Sequence, residues 1–239
     1  MTNLEKREAV KAFSLANIPI SLANHDPYAR IQRYHGLPGE DILDPCYFAG
    51  QHCELPTDIS SQLADYDYKF GYDLAGRPLH PWINELIKVS GVVTGTGEYW
   101  LWGPNETVDP VIITCEPEPK LLLIMRRSGR WALPGGFREG MEVVDGCVKE
   151  TAEETNLILT QTEIDTAQTI YDGIVADGRV TANAWAHTHA MLFRPEAARP
   201  VVGGDDAIDA RWFSTDEWQK ILGGSHRKIV EFAFEDLNT

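Results

Sequence analysis

A glycine pair set between a short apolar strand and a glutamate-rich helix constrains this chain more than any other stretch. It runs Leu133-Pro-Gly-Gly-Phe-Arg-Glu-Gly-Met-Glu-Val-Val-Asp-Gly-Cys-Val-Lys-Glu-Thr-Ala-Glu-Glu-Thr-Asn-Leu157. The strand ends at Pro134, a loop follows, and a helix carries Glu150, Glu153 and Glu154 at i, i+3 and i+4, a spacing that puts three carboxylates on one face. Like charges so placed repel unless a cation joins them. Mg²⁺ is the natural candidate, with Mn²⁺ as a substitute, because it takes carboxylate oxygens together with the phosphate oxygens of a substrate. Gly135 and Gly136 leave the backbone bare at the loop entrance, where the Gly135 carbonyl can ligate an ion and N–H groups can face phosphate. A glutamate-rich helix face is more often simply solvated. Here the glycine pair, the loop and the run Lys-Glu-x-x-Glu-Glu ending at Asn156 together outweigh that reading.

On those residues the stretch resembles a Nudix box, the strand-loop-helix signature of hydrolases that cleave nucleoside diphosphates linked to another group. In words, the box is Gly, five residues, Glu, seven residues, then Arg-Glu-apolar-x-Glu-Glu-x-Gly-apolar. Gly136 and Glu142 match its opening, and Glu150, Glu153, Glu154 and Leu157 match its close. Lys149 stands for Arg, Thr151 for the apolar residue and Asn156 for Gly, and Asn is the next best residue for a left-handed helix cap. Val143 to Val148 leave the spacing after Glu142 one residue short, and counting back from Lys149 puts Met141 where the first Glu belongs. The three helix acids therefore carry over in register, while Glu142 lies across the shortening. The resemblance implies an α/β fold, the Nudix α/β/α sandwich with a mixed sheet between helices.

The balance of charge narrows the partners. With a net charge of −15 the chain repels nucleic acid and anionic membranes. It also repels an anionic nucleotide, unless bound metal and a local basic cluster reverse the sign. Arg126, Arg127 and Arg130, just ahead of the glycines, are the candidates, against the plain reading of solvated arginines in a hairpin. No run approaches the ~18 apolar residues of a membrane span, and Met1-Thr-Asn-Leu-Glu-Lys-Arg-Glu has no apolar signal core, so a cytoplasmic protein is expected. Cys46, Cys53, Cys115 and Cys147 show neither a CxxC nor zinc spacing, and free thiols are expected.

Along the chain, residues 3–16 read as a helix and 18–23 as an extended edge segment, because Pro19 cannot donate to a ladder. Residues 24–82 are rich in Pro, Gly, Asp and Tyr and read as loops and short strands draped on another domain. The expected division is an irregular N-terminal region, 1–109, packed on a catalytic domain, 110–239. Strands are predicted at 111–115, 120–125, 131–133, 168–175, 184–193 and 210–213, and helices over the box and at about 215–222 and 226–235. In the box helix Val144, Val148 and Ala152 are predicted to face the core and turn the glutamates away from it.

Asp73-Leu-Ala-Gly-Arg-Pro-Leu-His-Pro81 and Trp102-Gly-Pro-Asn-Glu-Thr-Val-Asp-Pro110 are similar to segments ahead of the box in mitochondrial-type ADP-ribose pyrophosphatases and in the homologous domain of melastatin-type cation channels. Asn183-Ala-Trp185, Gly204-Asp-Asp-Ala207 and Ser225-His226 extend the likeness from about residue 70 to near the C-terminus. His187 and His189 alternate along a strand and share a sheet face, where that subfamily has acids; an i, i+2 pair fits a metal, a substrate contact or a structural role.

The resemblance implies hydrolysis of ADP-ribose to AMP and ribose 5-phosphate. Glu150, Glu153, Glu154 and the Gly135 carbonyl would hold the metal, and Asp206 or Asp205, in a glycine-led loop, would be the general base. Arg126, Arg127, Trp131, Gly135, Gly136, Asn183 and Trp185 would contact the substrate; Tyr171 is a further aromatic that could stack on adenine. Two alternatives stay open: a binding module that senses ADP-ribose without cutting it, and a hydrolase of another nucleoside diphosphate derivative. Monomer and homodimer are both compatible with the sequence.

Overall fold

The structure, a computed structural model, describes residues 1–17, 33–34, 46–48, 51–53, 59–64, 66–67, 69–73, 76–90, 92–175 and 178–237. The predicted edge segment at 18–23 lies outside the described residues. The chain divides into two interleaved units: Met1–Phe13, Glu106–Gly173 and His187–Thr239 form one, Ser14–Asn105 and Ile174–Ala186 the other. The division thus does not follow the expected cut at residues 109 and 110. The N-terminal helix α1 (Asn3–Asn17) begins in the unit that carries the box.

The second unit is built from short pieces: strand β1 (Arg33–Tyr34) pairs with β6 (Val92–Val93), β2 (Cys46–Phe48) with β3 (Gln51–Cys53), and β4 (Gly71–Tyr72) with β5 (Pro78–Leu79), alongside helices α2 (Ile59–Leu63) and α3 (Ile83–Ser90). It nevertheless has a core of its own, Trp82, Leu86, Ile174, Val180, Ala182 and Trp185. The segments singled out by their likeness converge here. Arg77 forms a buried ion pair with Asp73 at 2.6 Å. The Asn183 amide donates to Asp73 Oδ2 and the Pro78 carbonyl and accepts from Gly95 N–H. Asn105 accepts from the Trp100 and Leu101 amides. Buried polar groups need partners, and these residues supply them to one another.

The first unit holds two sheets. One has strand order β10-β7-β12-β11 and the other β13-β8-β9, with β7 Gly103–Ile112, β8 Leu121–Arg126, β9 Trp131–Ala132, β10 Gly136–Phe137, β11 Gln168–Val175, β12 Ala184–Phe193 and β13 Ala207–Phe213. β7 and β12 run the same way, as the bonds Gly103 N–H to Asn183 O and Ile113 N–H to Phe193 O require. β10 is antiparallel to β7, so the first sheet is mixed, while β8 is antiparallel to both β9 and β13, so the second is purely antiparallel. The helices are α4 (Val143–Thr155), α5 (Gln161–Asp165), α6 (Thr215–Ile221) and α7 (Gly224–Leu237). This is the α/β architecture that the resemblance implied. Among the described residues no helix is long and apolar enough to cross a membrane.

The box helix α4 packs Val144 and Val148 against the core as expected, though both are only partly buried, and its fully buried positions include Cys147, Thr151 and Thr155. The two threonines enter the core because each hydroxyl bonds to a carbonyl one turn back, Thr151 to Cys147 at 2.7 Å and Thr155 to Thr151 at 2.5 Å. A stripe drawn from apolar residues alone passes over them. The acids do not all turn away from the core as expected: Glu150 and Glu154 are buried, 8% and 3% exposed, and only Glu153 stays outside.

Candidate active site

The glycine pair touches both walls of the site. Gly135 has φ 150°, and a Cβ there would collide with the Val108 carbonyl. A Cβ on Gly136 would come within 2.8 Å of Glu150 Oε2. Only bare backbone lets β10 run this close to the box helix while pairing Gly136 with Val108. The Gly135 N–H donates to Glu154 Oε2 at 2.8 Å.

Glu154 meets a second acid. The loop before β13 is tied to the end of α4 by Val202 N–H to Thr155 O at 3.0 Å and Gly204 N–H to Glu154 O at 3.1 Å. The Asn156 side chain adds a bond to the Val202 carbonyl, and its φ of 55° makes it the left-handed cap that the sequence called for. So anchored, the loop sets the Asp206 carboxyl against that of Glu154. Burial, then the hydrogen bond and charge of Asp206, push Glu154 up to about 8, against the Gly135 N–H and the Arg126 charge. At neutral pH without a cation, the pair holds a proton.

Glu150 is raised too, by burial first and then by Glu153 and Glu139, against Lys149. Lys149 Nζ lies 3.1 Å from Glu139, 3.6 Å from Glu153 and 3.7 Å from Glu150. A single cation here neutralises three carboxylates, one of them buried. This donor set fits a divalent cation: hard oxygens, two of them on buried acids shifted toward neutrality, beside a glycine cradle that a Cβ would fill.

The structure places the other expected residues unequally. Arg126 is half-buried and its charge reaches Glu154. Arg127 and Arg130 are exposed on the hairpin. Trp131 is half-buried, edge-on to Phe213 at 4.6 Å, with Arg211 over its ring. Asp205 sits exposed at φ 50° in the turn next to Asp206. Glu142 is the exposed N-cap residue of α4 and makes no side-chain cap bond. Asn183 and Trp185, expected at the substrate, are both 0% exposed. The first is engaged by Asp73, Pro78 and Gly95, and the second lies against Phe70 and His80. Tyr171 is likewise fully buried.

Two residues beside the glycines were not singled out by spacing. Asp109 is buried, accepts a hydrogen bond from the Thr188 hydroxyl, and lies 3.5 Å from His226 Nε2. His226 Nδ1 in turn accepts the Leu133 N–H at 3.2 Å. The available signal was a carboxylate set between Val108 and Pro110, just ahead of the apolar pair Val111-Ile112.

Residues 106–232, more than half of the chain, match the model of the NUDIX domain. The chain belongs to the NUDIX family. It is 28% identical over 67% of its length to the mitochondrial ADP-ribose pyrophosphatase of Rattus norvegicus, spanning 54% of that protein. It is 31% identical over 69% of its length to transient receptor potential cation channel subfamily M member 2 of Mus musculus, spanning 13% of the channel. The ADP-ribose pyrophosphatase of Methanocaldococcus jannaschii is 32% identical over 54% of this chain and 72% of that protein. The expected kinship with mitochondrial-type pyrophosphatases and the channel domain is borne out. Within this NUDIX chain the matched residues run from inside β7 through β13 and contain the glycine pair and the whole of α4.

Proposed function

We propose that the protein hydrolyses the diphosphate of ADP-ribose to AMP and ribose 5-phosphate with Mg²⁺, or Mn²⁺ in its place. One observation carries the reading: Glu154, a box acid, is buried between the Gly135 amide and loop Asp206, which joins glycines, helix acid and a candidate base in one place. Two relatives named as ADP-ribose pyrophosphatases support the choice of substrate.

Glu150, Glu153 and Glu154, with the Gly135 carbonyl, would hold the divalent ion. Such an ion supplies neutralisation of the diphosphate and a more acidic water. Arg126 adds positive charge at the approach to Glu154, where an anionic substrate must overcome the chain's net charge of −15. Bare backbone at Gly135 and Gly136 lets phosphate oxygens come close. Asp206 would take the proton of the attacking water; its contact with Glu154 and its seat on a loop rather than on the helix support that role.

A second reading rests on Lys149. Its ammonium already bridges Glu139, Glu150 and Glu153, and Met141 stands where the box has an acid, both of which suit a module that binds ADP-ribose without cutting it. The test is a panel of nucleoside diphosphate derivatives with Mg²⁺ and product analysis. Turnover of ADP-ribose above the rest, with AMP and ribose 5-phosphate in equal amounts, is expected. Binding of ADP-ribose with no product favours the module, and faster cleavage of another member moves the substrate.

A further inference from the structure

Away from the box, three neighbouring strands bring two histidines and two carboxylates together. Asp172 lies on β11, His187 and His189 on β12, and Glu106 on β7. His187 Nε2 is 2.6 Å from Asp172 Oδ1, and His189 Nδ1 is 3.5 Å from the same oxygen. One ligand atom from each of Asp172, His187 and His189 lies within 4.8 Å of the other two. His187 is buried and His189 nearly so. All four residues belong to the unit that carries the box.

We infer that Asp172, His187 and His189 form a binding site for a divalent transition-metal ion of the zinc class, separate from the carboxylate site on α4. Two imidazoles and one carboxylate are a donor set that prefers zinc, iron or cobalt over magnesium, which takes oxygen. The distances suit such an ion after a small adjustment. Metal–nitrogen bonds of about 2.0–2.1 Å at tetrahedral angles put neighbouring donors about 3.3 Å apart. The His189–Asp172 separation is already close to that. The His187–Asp172 contact is shorter because a proton lies between the two atoms, and the ion would take that proton's place.

The second ring nitrogen of His189 supplies an independent observation. Among the described residues His189 Nε2, which is buried, has no hydrogen-bond partner, and Glu106 Oε1 lies 3.7 Å from it. A metal-ligating histidine nearly always donates its other N–H to a carboxylate or carbonyl. With Nδ1 on the ion, Nε2–H points at Glu106, which needs to close by less than an ångström.

The cluster's own cations do not fill the ligand position. Arg7 lies 3.7 Å from Asp172 Oδ2 and donates to the Asp172 carbonyl at 2.6 Å, which leaves Oδ1 to the histidines. Arg138 pairs with the other oxygen of Glu106, Oε2, at 2.9 Å. An ion held here would clip β11 to β12 and, through Arg7, to helix α1.

The experiment is calorimetric titration of the chelator-stripped, thiol-alkylated chain with Zn²⁺ in excess Mg²⁺, and with Co²⁺ followed by visible absorption. One Zn²⁺ per chain is expected, with an intense Co²⁺ band of low coordination number. The His189→Gln and Asp172→Asn variants, checked for folding by circular dichroism, should each weaken Zn²⁺ binding by about tenfold or more, while Glu154→Gln keeps it. Binding lost in Glu154→Gln but kept in the other two would place the ion at the box and overturn the inference. So would the absence of binding in the wild-type chain. Because the readout is binding rather than turnover, the inference stands or falls apart from the proposed hydrolase activity.

Discussion

Glu154 is the residue on which the site's electrostatics turn. Its folded-state value is raised from the ordinary 4.5 to about 8, first by burial and then by Asp206. An acid raised on folding stabilises the native state fully below its unfolded value, and that stability is lost as pH rises toward the folded value. In chelator, therefore, the melting temperature should fall between about pH 4.5 and pH 8, and Glu154→Gln, which cannot ionise, should flatten the decline. Parallel melting curves for the two proteins would contradict the shared proton. Asp206 makes a separate prediction. As the proposed base it would act in the transition state, so Asp206→Asn should lower kcat with little change in KM. Asp205, which is not among the groups acting on Glu154, should tolerate the same change. Steady-state kinetics of both variants checks this, and equal losses would mean that the loop's shape matters rather than one carboxylate.

At the scale of the element, the box helix and its glycine strand are held by contacts that spacing alone shows only in part. The register of Glu150, Glu153 and Glu154 was legible because helical periodicity is local, and so was the left-handed cap at Asn156. The burial of Glu150 and Glu154 was not. Thr151 and Thr155 bury by bonding their hydroxyls to the helix's own carbonyls, so the inward stripe runs through residues that a hydropathy reading counts as neutral. Thr151→Val should accordingly change stability by no more than about 1 kcal/mol, since the hydroxyl adds a bond to a carbonyl that the helix already uses. A loss of several kcal/mol in denaturant titration would mean that the hydroxyl has another partner. Gly135→Ala is predicted to be far more damaging, by about 2 kcal/mol or more, because the new Cβ meets backbone rather than a movable side chain. A melting temperature within a degree or two of wild type would show that β10 can shift away from β7.

Across the whole molecule, what stayed hidden in the sequence is what distant segments do to one another. Asp109 and His226 are 117 positions apart, yet both stand beside the glycines. Asp172 is fifteen residues from His187 in sequence and in hydrogen-bond contact with it. No local pattern announces either pairing. Asn183 and Trp185 show the reverse case: their place in a recognisable segment pointed to substrate, whereas the structure commits both to the core of the second unit. That unit has more of a core than its Pro- and Gly-rich sequence suggests, because Ile174, Val180, Ala182 and Trp185 join it from beyond the box. The central proposal concerns the box itself: its working acids would be those in register with Lys149, and Glu142, an exposed N-cap residue without a side-chain cap bond, would not be among them. The most direct test is kcat for ADP-ribose with saturating Mg²⁺ in the Glu154→Gln and Glu142→Gln variants. The account predicts a loss of about a hundredfold or more for the first, a barrier increase of ~2.7 kcal/mol, and a change of no more than about threefold for the second. Glu142→Gln as crippling as Glu154→Gln, or a Glu154→Gln enzyme at wild-type speed, would contradict it.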